Sequence, residues 1–127
     1  MQTFSWHELP VALHTDAFEV RAKEAGEMAL TFYRFEKGAD LRALFHGMQD
    51  DACQCPHWGY VISGRLRIHT RDGAHDVAAG QAFYVEPGHA PEALEVTEMF
   101  AVSPAAGLRA IGEHVARQLM TEPPPSP

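Results

Sequence analysis

Between residues 18 and 102 the chain is cut by Gly, Pro and Asp into short runs whose apolar residues mostly alternate with polar ones. Runs this short cannot hold ordinary helices, and a period near two places alternate side chains on opposite faces of a strand. Eight segments read as strands: 18–22, 28–35, 41–48, 58–62, 65–70, 75–77, 82–85 and 93–102. Eight short strands in succession predict an all-β sandwich or barrel. The clearest turn is Arg71-Asp72-Gly73, since Asp-Gly tolerates the positive φ angles of a tight hairpin.

The two ends read differently. Leu108, Ile111, Val115 and Leu119 recur every three or four residues, one stripe of a helix opened by Ser103-Pro104 and stopped by a proline run. That helix is expected to pack on the barrel or on a second subunit. Residues 122–127, EPPPSP, can bury almost no apolar surface and are expected to be unstructured. The organisation expected is thus one domain over 1–120 and a Pro-rich tail over 121–127. Near the start, the Ala-rich stretch 10–25 could hold a short helical turn, and no internal repeat is present.

Charge and flanks exclude several partners. The formal net charge of -7, with no clustered Lys or Arg, disfavours a phosphate backbone and so nucleic acid. Residues 1–10, MQTFSWHELP, lack the basic flank and apolar run of a signal peptide, and no stretch reaches transmembrane length. A cytoplasmic location and no membrane association are expected. In that compartment Cys53 and Cys55 are free thiols or metal ligands, and a disulfide across so tight a loop would be strained.

Cys53-Gln54-Cys55-Pro56-His57 sets three metal donors at every second position, which in an extended chain project from one face. Thiolate with imidazole suits zinc first and ferrous iron second, rather than magnesium or calcium. A fourth donor must come from elsewhere, and His89, at the turn Glu86-Pro87-Gly88-His89, is the candidate. The bland alternative is that both cysteines are small buried hydrophobes and His89 a polar turn residue. Tyr60 and Tyr84 could serve a substrate, but with His57 inward Gly59 and Val61 follow it and Tyr60 faces out. Gly59 would then leave open space beside the cluster.

The stretches HWGYVISGRLRIH (57–69) and GQAFYVEPGHAP (80–91) resemble the two motifs of the cupin superfamily. The resemblance covers roughly 47–91 and implies an antiparallel β-barrel of the jelly-roll type with a short C-terminal helix. Counted from Gly47, Cys53 and Cys55 stand where the family has two histidines. Counted back from Gly64, His57 stands where it has a glutamate. In the second motif Glu86 takes the proline position, Gly88 keeps its place, and the histidine position falls on Pro91. His89 and Glu92 are the nearby substitutes.

The resemblance implies a divalent metal, a small-molecule ligand or substrate, and a homodimer. Two functions follow. One is a metal-dependent enzyme on a small polar molecule, of dioxygenase, isomerase or lyase type; the other is a non-catalytic barrel that binds a small ligand or senses metal or redox state. Three protein ligands plus an open position favour catalysis, and four favour a closed structural or sensing site. The acidic residues Glu92, Glu95 and Glu98 read as a solvated face.

Overall fold

A computed structural model describes residues 1–121; the EPPPSP tail lies outside them. Two antiparallel sheets face each other. Strands β1 (Val11–His14), β2 (Phe18–Ala25), β3 (Met28–Phe35), β4 (His57–Ser63), β7 (Ala82–Val85) and β9 (Thr97–Pro104) form the larger, in the order β1-β2-β3-β9-β4-β7. The smaller has β5 (Arg65–Thr70) between β6 (Gly73–Ala78) and β8 (His89–Ala93). Helix α1 (Ala105–Thr121) follows.

Alternation decides which residues meet between the sheets. Phe18 and Val20 from β2, Phe35 from β3, Val61 from β4 and Met99 with Ala101 from β9 point inward to meet Leu66 and Ile68 of β5. The chain changes sheet at Gly64, between β4 and β5. There φ is +90°, and a Cβ would lie 2.2 Å from the Val96 carbonyl oxygen and 2.7 Å from the Thr97 Cα. Only glycine fits so close a backbone approach. The buried Thr97 hydroxyl seals the corner, accepting from the Arg65 N–H at 3.1 Å.

The hairpin at Arg71-Asp72 joins β5 to β6 as expected, with Thr70 opposite Gly73 and the positive φ, +132°, carried by Gly73. Three assignments differ from the sequence reading. Residues 41–48 are not a strand: Arg42–Phe45 is a 3-10 turn, because Leu41, Leu44, Phe45 and Met48 recur at three and four, and the Asp40 carboxylate accepts the Arg42 N–H. The strand expected at 93–102 starts only at Thr97, after a bend at 94–96 where the Thr97 hydroxyl donates to the Glu95 carbonyl, and His89–Ala93, whose first residue reads as part of a turn, is strand β8. Most of 10–25 is strand, and the only helical turn near it is the short Trp6–Glu8.

Helix α1 lays Leu108, Ile111, Val115 and Leu119 against the barrel core, as their spacing predicts. The His114 and Gln118 side chains donate to the His46 carbonyl at 2.9 and 3.0 Å, and Arg109 pairs with Glu24 of β2. No described helix is long and apolar enough to cross a membrane.

Candidate metal centre

Backbone pairing brings two distant segments together. Cys53 and His89 form an isolated antiparallel bridge, the Cys53 N–H donating to the His89 carbonyl at 2.8 Å and the Gly88 N–H to the Cys53 carbonyl at 2.7 Å. His57, the first residue of β4, lies beside them, its Nε2 3.7 Å from Cys53 Sγ and its ring centroid 4.9 Å from that of His89. One ligand atom each from Cys53, His57 and His89 lies within 4.8 Å of the other two.

Both imidazoles are held from behind. His89 Nδ1–H donates to the Glu86 carbonyl at 2.6 Å, so its Nε2 keeps the lone pair. His57 Nδ1 meets the Ser103 hydroxyl at 2.6 Å. Burial, aided by His89, pushes the His57 imidazole down to about 3, and burial also lowers His89 against the opposing pull of Glu86. Burial pushes the Cys53 thiol up to about 12. Neutral imidazole is the ligating form, and a bound cation would supply the charge a thiolate needs in so dry a site. One thiol and two imidazoles therefore fit a borderline-soft divalent ion.

Cys55 stands apart from this group. Its Sγ lies 3.6 Å from the Pro56 carbonyl oxygen and 4.0 Å from that of Pro104, and 3.1 Å from where a Cβ on Gly107 would be. The one-face expectation assumed extended chain from 53 to 57. Instead the chain bends at Cys55, and Gln54 folds back to donate to the Gln49 and Ala52 carbonyls. Burial pushes the Cys55 thiol up to about 11, eased by a contact with Ser103. Ser103 thus stands between Cys55 and His57.

Cys53, His57 and His89 all line a cavity of about 530 Å³ that runs from between the sheets to an open side beside α1, with Leu108, Ile111 and Val115 of α1 on its wall. Tyr33 is on its wall, on the inward face of β3 with Ala29, Thr31 and Phe35. Burial foremost, then the nearby Cys53, drives the phenol well above its ordinary value, so it stays protonated. The Thr31 hydroxyl beside it is fully buried and lacks a hydrogen-bond partner of normal geometry among the described residues.

No protein-family model matches the chain, and no curated protein does. Solved structures do. An RmlC-like cupin from Shewanella frigidimarina superposes with a TM-score of 0.61 at 18% identity, over 83% of this chain and 93% of that one. The chain has the cupin fold. KdgF from Halomonas sp. matches equally well, TM-score 0.61 at 19% identity over 82% of this chain and 94% of that one. Oxalate decarboxylase from Lactobacillus farciminis, solved as a formate complex, matches at 0.61 and 18% over 80% of this chain, which spans only 32% of that longer protein.

Within the cupin fold the altered motif positions can be placed. His89 opens β8 and is buried, whereas Glu92 lies on the outer face of the smaller sheet, 2.8 Å from His69 Nε2 and away from the cluster. Glu92 therefore contributes no donor to the group. Pro91, at the family's histidine position, lines the cavity.

Strand parity in β4 holds: Gly59 and Val61 are buried, and Tyr60 turns outward against Phe100. The open space expected at Gly59 is absent, because the Phe83 ring fills it, 2.4 Å from where a Cβ would stand. Tyr84 packs on Trp58 outside the barrel. The tyrosine that does face the site, Tyr33, and the hydroxyl behind His57, Ser103, went unnoticed in the sequence. Alternation along β3 gives Tyr33 its inward parity, but only the cross-strand pairing of β4 with β9 sets Ser103 beside His57.

Proposed function

We propose that the chain is a metal-dependent enzyme whose centre is held by Cys53, His57 and His89 and which acts on a small molecule bound in the barrel. The carrying observation is the convergence of these three donors, within 4.8 Å of one another, on the wall of a large cavity. Three protein donors leave a coordination position for substrate or water, the arrangement of catalytic rather than structural sites. When bound, zinc, or iron as the alternative, would polarise a substrate oxygen or activate water. Ser103 and the Glu86 carbonyl hold the imidazoles in the ligating orientation, the apolar walls surround the donors with carbon, and Tyr33 offers a proton donor. The neighbours named oxalate decarboxylase support a catalytic use of this fold. The dioxygenase, isomerase and lyase classes all remain compatible with the donor set.

Free thiols at Cys53 and Cys55 support a reducing compartment, the cytoplasm. Exposed Trp58, Tyr60, Ile62 and Tyr84 make an apolar outer face on the larger sheet, which supports a homodimer covering it.

Elemental analysis of the purified, untagged protein tests the centre, with thiols counted before and after a strong chelator. Near-stoichiometric zinc or iron, with a thiol that becomes titratable only after chelation, is expected. No metal after growth in supplemented medium, with both thiols reacting alike, would overturn the reading. A monomeric mass by light scattering would remove the dimer.

A further inference from the structure

We propose that the cavity selects a molecule with an apolar body and a single polar head, the head turned to the Cys53, His57 and His89 wall. This rests on reading that wall as the reactive end of the site. It departs from the small polar substrate expected from the sequence.

The walls carry the argument. The space, about 530 Å³, falls in the range of about 300–1,000 Å³ that encloses drug-sized ligands and far exceeds what a two-carbon acid needs. Phe18, Phe35, Phe45, Ile68, Phe83 and Met99 are among the side chains that line it. Among the described lining residues the only cationic side chains are Lys23 and Arg109, both exposed at the surface beside α1, and Arg109 is already paired with Glu24. A dianion seated against such walls would lose its hydration with no fixed positive side chain to replace it. An alkyl or aryl body gains from the same walls with every methylene it buries.

Apart from the exposed Lys23, Glu24, Arg109 and Glu113 at its outer rim, the polar side chains that line the cavity are gathered at one end. Besides the three donors of the cluster, the cavity wall presents the Tyr33 hydroxyl, on the inward face of β3 close to the buried Thr31 hydroxyl. One oxygen on the ligand could accept from Tyr33 while the rest of the molecule meets carbon.

Calorimetric titration with n-butanol, n-hexanol, n-octanol and succinate, on metal-loaded and on chelator-treated protein, tests this. Affinity should climb about fourfold per methylene, the equivalent of the transfer free energy of a CH₂ group, with no saturable binding of succinate. Tyr33→Phe should weaken octanol binding roughly fivefold, as loss of one hydrogen bond predicts, without changing metal content. Ile111→Trp should fill the space under α1 and remove octanol binding while metal is kept; Leu108→Phe substitutes for it if the larger change prevents folding.

Flat affinity along the alcohols, or succinate tighter than hexanol, would overturn the proposal. So would undiminished octanol binding in a folded cavity-filling variant. Because the alcohols carry no charge, their chain-length dependence should survive metal removal. A protein that holds no metal yet discriminates chain length refutes the enzyme reading alone, and one that holds metal but not the alcohols refutes only this proposal.

Discussion

The Ser103 hydroxyl sits 2.6 Å behind His57 Nδ1, on the side of the ring away from Cys53, whose Sγ is 3.7 Å from Nε2. A ligand imidazole held this way has its orientation and tautomer set by the residue behind it. Ser103→Ala should lower metal affinity by about 10–100-fold, and Ser103→Thr, which keeps the hydroxyl, should recover most of it. Competition with a chromophoric chelator measures the change. Equal affinity in Ser103→Ala and the parent would show that the hydroxyl does not orient the ring.

The two cysteines should behave differently. Cys53→Ala removes a donor from the cluster and should abolish metal retention, whereas Cys55→Ala, whose sulfur packs against Pro104 and the first turn of α1, should keep metal and lose stability by about 1–2 kcal/mol through the small buried void. Elemental analysis and urea unfolding of both variants check this. Metal loss in Cys55→Ala at unchanged folding would return Cys55 to the donor set.

Gly64→Ala should be the costliest alanine substitution among the described glycines. The added Cβ meets backbone atoms of Val96 and Thr97, which cannot rotate away, at a φ of +90° that already strains any other residue. A loss of about 3 kcal/mol or more is expected, or failure to accumulate as soluble protein. Gly26→Ala, with nothing within 4 Å of its Cβ, should pay only the cost of its φ of +63°. Urea midpoints of the two variants give the comparison, and similar values would contradict the close packing at Gly64.

Acid should weaken the fold through Asp40. Its hydrogen bonds to Arg42, the closest at 2.6 Å, hold its carboxyl below the usual carboxylate range, with partial burial opposing. A folded value below the unfolded one adds stability that is present above about pH 4 and is lost as the pH falls through the folded value. Asp40→Asn should therefore lose stability at neutral pH and show a shallower decline toward pH 3, the pair being partly exposed and the effect small. Urea midpoints across that range check the slope; identical slopes would mean that Asp40 is not the titrating group.

Most of the strands, the terminal helix stripe and the Asp72-Gly73 turn are legible in the sequence, because these follow from periods of two or of three and four and from backbone freedom, all local properties. It named Cys53, His57 and His89 as donors from residue type, and it set the inward parity of β4. Where local signals conflicted it misled: the three-and-four spacing of Leu41, Leu44, Phe45 and Met48 was buried among strand-like runs, and Cys55 was assigned to a face that exists only in extended chain. Proximity between distant segments comes from the fold. The Cys53–His89 bridge, Ser103 behind His57, Phe83 in the space at Gly59 and Tyr33 on the cavity wall all join segments far apart in the chain. Such contacts depend on which distant strands pair and on which sheet faces close on one another; the pattern within one strand specifies only which of its residues face the core.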